Sequence, residues 1–501
     1  MTAWPHQRPW RTRALRHALS GVRSGTDRAT WGDEGQSHTL LVLTGAALAL
    51  ALVVARALAI TTGHGRLFWY VWSVVVAAVS FFWPIAGVAL SLGNVFVSLD
   101  DASPFGLSVG QLAGSAASLR MLLQLAIHRL RLRHIWRPSH LALAALAVIM
   151  VLGYFGSDDL SGLLVALRKL LLNVLLYVLA CAYVTSPKKL LFVQAALAFS
   201  AGLGAIWAML QAPTLVGLAE PRATGLTGNP NYAAIYYAVA LPLVIGLALQ
   251  LEKSWLRAPL IAMGAALAGG IIATASRGGL LSLGIALLIT SLLWGKQRRR
   301  EVRWALIFVL IILVVSLGRA DYTRTRYGNM LASLRGGTYQ SADRLRLAEA
   351  SLAVWRRYPL LGAGVGNWYE GVVRVQGSAP ADSAHVWPAQ ILAEMGALGL
   401  LAYVTFVLLC LKDYAAVICA EREAPRGRLT PVRAFLASAL VLSASWTSGN
   451  WHNQLWFTLL VVGPLLLRMH VCPKARRSLL LMANRNLTDS TWGRAEEGGV
   501  L

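Results

Sequence analysis

The recurrence of long apolar segments constrains the fold of this chain more than any other feature of its sequence. A helix of about 20 apolar residues can cross the hydrocarbon core of a bilayer. The apolar runs lie at approximately 39–60, 67–98, 105–128, 139–155, 166–184, 190–212, 231–250, 256–275, 277–295, 304–318, 396–412, 434–448 and 453–468. The run 67–98 has Pro84 near its middle, and is either one tilted helix or two short ones. The sequence predicts an all-α polytopic membrane protein.

The composition of the chain agrees with a membrane location. Of its 501 residues, 56% are hydrophobic and only 14% are charged, whereas soluble proteins are about 25% charged. The net charge of +24 comes from short basic clusters between apolar runs rather than from a basic stripe with interleaved aromatic residues. We therefore expect membrane lipids, and no nucleic acid, as partners. The four cysteines form no CxxC motif and no cluster with histidines, so neither a disulfide nor a metal site is expected.

Basic clusters alternate along the chain with loops that are acidic or nearly neutral. The clusters lie at 129–137, 188–189, 253–257, 296–300, 412–433 and 468–477. Because lysine and arginine collect in cytoplasmic loops, this alternation places the C-terminus in the cytoplasm. The arginine-rich N-terminal tail is also expected there, so the number of spans is even, and we expect about 12–14.

These boundaries divide the chain into five regions. The expected regions are a basic cytoplasmic tail (1–38), an N-terminal transmembrane bundle (39–318), a large extracytoplasmic loop (319–395), C-terminal transmembrane helices (396–468) and a cytoplasmic tail (469–501). The large loop is the exception among otherwise short connections. Long loops in compact folds are usually functional or disordered.

The loop 319–395 has the sequence patterns of folded structure. Ser341 or Asp343 can cap a helix that runs to Tyr358, and a second short helix is predicted from Pro388 to Met395. The apolar residues that share one face of the first helix are Leu345, Ala348, Leu352 and Trp355. We therefore expect amphipathic helices in this loop, and we expect the chemistry there.

Three arginines on the outer side are not explained by the charge rule for loops. Arg222 precedes a span, Arg277 lies where two apolar runs meet, and Arg344 begins the predicted loop helix. An arginine at membrane depth costs about 2.5–3.5 kcal/mol on insertion scales, so it usually faces a polar partner or cavity. A guanidinium group matches phosphate oxygens bidentately. The alternative is that each arginine reaches lipid headgroups or pairs with a nearby carboxylate.

Two histidines, His385 and His452, lie on outer loops close to a span. A neutral imidazole can act as a general base and take a proton from an acceptor hydroxyl. Asn453 follows His452, and Gln390 lies in the helix predicted after His385. Each histidine also fits an interfacial position beside the tryptophan belt.

Several segments, taken in order, resemble the O-antigen ligase/polymerase superfamily. They are Gly-Asn-Pro-Asn, with Asn229 and Asn231; Ser-Arg-Gly-Gly around Arg277; Arg344 followed by Pro-Leu-Leu-Gly-Ala-Gly, with Gly362 and Gly364; and His385…Gln390…Leu-Ala-Glu394-x-Gly396. The resemblance covers roughly residues 190–415. Two positions depart from the pattern, because the asparagine after the histidine is Val386 here and the tyrosine is Pro388.

The resemblance implies a glycosyltransferase-C-like helical fold in the bacterial inner membrane. It implies a metal-independent transfer, without a cofactor, of a glycan from undecaprenyl pyrophosphate at the periplasmic face. The acceptor would be lipid A–core, a growing polysaccharide or a protein hydroxyl. Lipid A–core and polysaccharide are preferred, because the chain has only a short polar segment after its last predicted span.

The resemblance also implies roles for individual residues. Arg222, Arg277 and Arg344 would contact the pyrophosphate, and His385 and Arg277 would be catalytic. The acceptor-side candidates are Gln390, His452 and Asn453, and the residues expected to shape loops are Asn229, Asn231, Gly362 and Gly364. Because of the departures at 386 and 388, the acceptor-side base is either His385 or His452.

Two other classes of function remain open from the sequence. A transporter or flippase of polyprenyl-linked glycans would need charges facing a cavity within the spans and internal repeats, and neither is evident. A metal-dependent glycosyltransferase could use the pairs Asp100–Asp101 or Asp158–Asp159 to hold Mg²⁺ or Mn²⁺. Such pairs also occur at solvated hairpin tips.

Overall fold

The computed structural model describes residues 43–51, 54, 65–97, 108–127, 130, 138–155, 160–184, 187–212, 222–251, 254–294, 307, 341–378, 386–420 and 430–444. The regular elements within these ranges are all helices. Numbered in chain order, they are α1 (Gly65–Phe82), α2 (Pro84–Val97), α3 (Val109–Ala126), α4 (Pro138–Tyr154), α5 (Leu160–Tyr183), α6 (Pro187–Gln211), α7 (Pro230–Gln250), α8 (Ser254–Ala273), α9 (Arg277–Trp294), α10 (Ser341–Arg357), α11 (Trp368–Gln376), α12 (Trp387–Ala420) and α13 (Thr430–Ala444).

The length and apolar composition of these helices confirm the predicted fold class. Among the described residues, α5, α6, α7, α9 and α12 are long and apolar enough to cross a membrane. Shorter apolar helices occur in α1, α2, α4, α8 and α13. The chain is therefore an all-α polytopic membrane protein. The total of about 12–14 spans and the glycosyltransferase-C-like arrangement stay predictions, because the segments 304–318 and 453–468 fall largely or wholly outside the described residues.

The long apolar run 67–98 forms two helices. α1 ends at Phe82 and α2 begins at Pro84, with Trp83 between them. Proline lacks a backbone N–H and clashes with the carbonyl four residues earlier, so it favours the first position of a helix over its interior. α2 is buried along nearly its whole length, whereas α1 exposes Val74 and Phe82. The break thus separates an outer helix from an inner one.

Helix α7 lies at the centre of the bundle. It packs against α6, α8, α9 and α13, and nearly all of its side chains from Ala233 to Leu247 are buried. Small residues allow close approach between membrane helices. A side chain at Gly279 would collide with the Cβ of Ala234. This close packing holds the beginnings of α7 and α9 side by side.

The loop helices predicted by the sequence are present. α10 begins at Ser341 and ends at Arg357, and the predicted helix at 388–395 is the first part of α12. Gly396 has a non-helical φ of 64° and divides α12 there into two helical parts. The second part packs along the bundle, where α4 contacts α12.

The face of α10 that packs is not the one that its apolar pattern indicates. Leu347, Ala350 and Val354 are buried in a small core with Trp368 and Ala393. Leu345, from the predicted face, is 61% exposed. α10 packs against Ala393 of α12, Ala363 of the following turn and Trp368 of α11, so these partners rather than its own apolar pattern set its buried face.

Candidate active site

The N-terminus of α7 is fixed by an asparagine cap. The Oδ1 atom of Asn229 accepts hydrogen bonds from the backbone N–H groups of Asn231 (2.9 Å) and Tyr232 (3.3 Å). Pro230 occupies the first turn, where its missing N–H costs nothing. The Asn-Pro-Asn sequence thus dictates locally where α7 begins and leaves Asn231 on its first turn.

Asn231 joins two segments that are distant in sequence. Its Oδ1 atom accepts a hydrogen bond from Arg222 Nη2 (2.6 Å) and another from Ser276 Oγ (3.1 Å). Arg222 Nε also donates to the carbonyl oxygen of Thr274 (3.2 Å). A guanidinium group carries five N–H donors, and these two bonds set the orientation of the half-buried Arg222 fork.

The turn that precedes Arg277 is tightly constrained. Thr274 and Ser276 are buried, and Ala275 between them has a φ of 48°, a left-handed conformation that is uncommon for a residue with a Cβ. Ser276 Oγ accepts from the N–H of Gly279 (3.2 Å) and caps α9. Arg277 is the first residue of α9 and is partly exposed.

The beginning of α9 therefore combines two positive features. Helix N-termini present unpaired N–H groups and a partial positive charge that favour anions. The guanidinium of Arg277 adds a full charge at the same end, and Arg222 is bonded to the turn immediately before it. This end of the bundle is suited to a phosphate-containing ligand.

A second cluster surrounds the buried carboxylate of Glu394, which is 2% exposed. Glu394 Oε2 accepts from the N–H of Gly366 (3.2 Å), and Oε1 accepts from Gln390 Nε2 (2.8 Å). The backbone carbonyl oxygens of Ala393 and Glu394 accept from the N–H groups of Ala363 (2.8 Å) and Gly364 (3.1 Å). The glycine turn after α10 is thus tied to the first part of α12.

Two glycines permit this close approach. Gly362 and Gly396 both have left-handed φ values, 72° and 64°. A side chain at Gly362 would collide with the backbone of Glu394, and one at Gly396 would collide with the carbonyl of Leu360. The predicted shaping role of Gly362 therefore has a direct steric reason.

Residues 261–404 match the family model described as O-antigen ligase. Over this segment the chain is similar to the O-antigen ligase family. No curated protein matches the chain. The resemblance seen in the sequence motifs is confirmed over this segment, and the family carries out glycosyl transfer from lipid-linked glycans.

The O-antigen ligase segment contains one of the two clusters and part of the other. It includes Arg277, the glycine turn and Glu394, but Arg222 and Asn231 precede it in sequence. Their hydrogen bonds to Thr274 and Ser276 attach them to the matched segment. The structure therefore extends the candidate site of the O-antigen ligase segment to the beginning of α7.

Sequence reasoning did not assign roles to Glu394, Thr274 and Ser276. A signal was available for Glu394, because a carboxylate in the apolar stretch Ile-Leu-Ala-Glu-Met must be paired when it is buried. Thr274 acts through its backbone carbonyl oxygen, a contact that side-chain identity does not reveal. Ser276 acts as a cap and as a donor to Asn231, which depends on the neighbouring helix.

Several predicted site residues lie outside what the structure describes. His385, His452 and Asn453 are among them, and only the backbone of Arg344, in the first turn of α10, is described. The aspartate pairs at 100–101 and 158–159 also lie outside the described residues. The choice between His385 and His452 therefore stays a prediction.

Proposed function

We propose that this protein is a glycosyltransferase that moves a glycan from undecaprenyl pyrophosphate to an acceptor hydroxyl at the periplasmic face of the bacterial inner membrane. One observation carries the proposal beyond the family match. Arg222 is hydrogen-bonded to the turn from which Arg277 begins α9. Arg222 is thus attached to the turn that leads into Arg277, and two arginines brought near each other from distant stretches are expected of a pyrophosphate site.

The proposed reaction is a single displacement at the anomeric carbon. The acceptor oxygen forms the new glycosidic bond while the bond between that carbon and the pyrophosphate oxygen breaks. Undecaprenyl pyrophosphate leaves with the bonding electron pair, and His385 accepts the proton of the acceptor hydroxyl. Arg222, Arg277 and Arg344 stabilise the charge on the leaving pyrophosphate, so the step is written without a metal.

The proposed acceptor is lipid A–core or a growing surface polysaccharide. Gln390 is the acceptor-side candidate within the described residues, and its amide is oriented by the bond to Glu394. His452 and Asn453 are proposed to contribute to the same side. The active site faces the periplasm in this proposal, and the C-terminus lies in the cytoplasm.

The proposal is tested by replacing Arg277 and His385 separately with alanine. We expect Arg277→Ala to lower transfer about 10²–10³-fold, because a donor to the developing charge is lost. For His385→Ala we expect a loss of about 10²–10⁴-fold, as for a general base. The measurement is glycan transfer from purified lipid-linked donor, and complementation of a strain that lacks its own transferase.

A matched control is Arg257→Ala. Arg257 lies near the beginning of α8, whereas Arg277 follows the end of that helix. Arg257 Nε donates to the carbonyl oxygen of Leu251, and this variant should transfer at the wild-type rate. Arg277→Lys keeps the charge but loses the fork, so it should recover only part of the activity. Full transfer by both alanine variants would reject the site.

Assays on the same purified protein distinguish a transferase from a transporter, and one class of acceptor from another. One donor is offered with lipid A–core, with a glycan repeat unit and with a protein in turn, each with and without EDTA. We expect product with one of the first two, and no effect of EDTA. Movement of lipid-linked glycan across liposomes without a new glycosidic bond would instead identify a transporter.

A further inference from the structure

The turn that follows α10 forms an exposed elbow, defined here as residues 356–361. Arg356, Arg357 and Pro359 are exposed at the surface, and Leu360 is 63% exposed. A single exposed leucine is common on a protein surface. Here it is flanked by two guanidinium groups within four residues of chain.

The elbow is attached to a membrane-crossing helix. The backbone N–H groups of Ala397 and Leu398 donate to the carbonyl oxygens of Pro359 (2.9 Å) and Leu360 (3.3 Å). These bonds lie directly after the break in α12 at Gly396, within the candidate membrane span Trp387–Ala415. Leu360 is therefore beside the part of this candidate span that follows the break.

The surface of that span next to the elbow is itself apolar and outward-facing. Leu398 and Leu401 are 42% and 64% exposed, as side chains that contact lipid are expected to be. The backbone bond from Leu398 to Leu360 places the exposed Leu360 beside this part of the helix. Arg356 and Arg357 precede Leu360 in the same elbow.

The elbow is held in shape by its own contacts. Trp355 Nε1 donates to the carbonyl oxygen of Pro359 (3.1 Å) across the turn. The N–H of Gly362 donates to the carbonyl oxygen of Tyr358 (3.1 Å). Leu360 is therefore presented by a closed turn rather than by an extended segment.

We propose that the elbow inserts into the bilayer leaflet at that face, with anionic phospholipid as its partner. Leu360 lies at the top of the acyl chains, and Arg356 and Arg357 bind the headgroup phosphates above it. Apolar side chains below and cationic ones above are the pattern of interfacial anchors. The anchor holds the glycine turn and Glu394 at a fixed depth, whether or not the proposed transfer reaction is correct.

The test measures membrane depth in full-length protein reconstituted in phosphatidylcholine–phosphatidylglycerol vesicles. A nitroxide is attached to Leu360→Cys in a background whose four native cysteines are replaced by alanine. Leu401→Cys gives a lipid reference and Gln376→Cys, an exposed position on α11, gives a polar comparison. We expect the ratio of oxygen to nickel-chelate accessibility at 360 to be several-fold higher than at 376 and below that at 401.

Two outcomes at position 360 would overturn the proposal. Accessibility to the nickel chelate equal to that at 376 would place the elbow in water. Shielding from both oxygen and the chelate would mean that protein covers this surface. Because the change is made at an exposed side chain, the variant is expected to fold.

The role of the arginines is tested by charge removal. The double variant Arg356→Gln/Arg357→Gln should lower the accessibility ratio at 360 several-fold in anionic vesicles, and should abolish the difference between anionic and pure phosphatidylcholine vesicles. The control Arg346→Gln removes an exposed arginine elsewhere on α10 and should change neither. An unchanged lipid dependence in the double variant would overturn the assignment of the partner as anionic phospholipid.

Discussion

At the scale of single residues, the side-chain oxygen of Asn231 is the point at which the candidate pyrophosphate site is assembled. It accepts from a guanidinium of the preceding loop and from a hydroxyl of the turn before α9. Hydrogen bonds that involve a charged donor contribute about 1.5–3 kcal/mol. Asn231 therefore fixes the position of Arg222 relative to α9.

We predict that Asn231→Ala lowers glycan transfer about 10–100-fold, because misplacement of a binding group by an ångström has effects of this size. The control is Ser438→Ala, which removes a buried hydrogen bond to the carbonyl oxygen of Val239 on the same helix α7. Both variants should reach similar levels in the membrane, and only the first should lose activity. Wild-type transfer by Asn231→Ala would show that Arg222 is not positioned by this contact.

At the scale of elements, α12 and the turn after α10 form one interlocked unit. Gly396 interrupts α12 so that the backbone beyond it can bond to Pro359 and Leu360. Glu394, in the turn of helix before the break, binds the other side of the same turn through Gly366. A local change at either glycine is therefore expected to affect the loop and the helix together.

We predict that Gly396→Ala destabilises the protein. The left-handed φ alone costs about 1–3 kcal/mol for a residue with a Cβ, and the collision with Leu360 adds to that. The measurement is the thermal unfolding temperature in detergent, together with the amount of protein in the membrane. The matched control is Gly284→Ala within α9, where a Cβ would meet no neighbouring atom, and alanine is the better helix former.

The two glycine variants should therefore shift the unfolding temperature in opposite directions, down for Gly396→Ala and slightly up for Gly284→Ala. Equal unfolding temperatures for Gly396→Ala and the wild type would contradict the close approach of Gly396 to the backbone of Leu360.

At the scale of the whole molecule, the positive-inside rule predicts which end of each helix faces the periplasm. The loop that carries α10 and α11 is predicted to be periplasmic, and the basic cluster 296–300 cytoplasmic. The candidate site at the beginnings of α7 and α9 is then on the same side as the loop. This orientation decides whether lipid-linked glycan can reach the site from outside.

We predict that a membrane-impermeant maleimide labels Gln376→Cys in intact spheroplasts, and labels Gln297→Cys only after the membrane is opened. Gln376 is an exposed side chain on α11, so its reactivity reports the side rather than burial. The cysteine-free parent protein is the background control. Labelling of position 297 from outside, with position 376 protected, would invert the proposed orientation.

The sequence alone determined those features that depend on short stretches of chain. Apolar runs and charge clusters predicted a polytopic helical membrane protein, since transfer into lipid depends on composition over about 20 residues. The sequence left open whether Pro84 lies within one tilted helix or between two short ones, and it placed Gly-Asn-Pro-Asn just before a span. The structure has a helix boundary at Pro84 and begins α7 at Pro230, because a proline or a cap acts within one turn. The motifs around Arg277 and Glu394 pointed to the family for the same local reason.

Only the tertiary structure decided what depends on pairs of distant residues. The buried face of α10 is set by its partners on α11, on α12 and in the turn before α11, so its own apolar pattern indicated the wrong side. Hydrogen bonds join Arg222 and Ser276 to Asn231, and Gly366 to Glu394. These partners are separated along the chain, and the sequence does not show that they meet in the fold. A hydrogen bond needs its two atoms within about 3 Å, and the folded packing of α7, α8, α9 and α12 alone sets that distance.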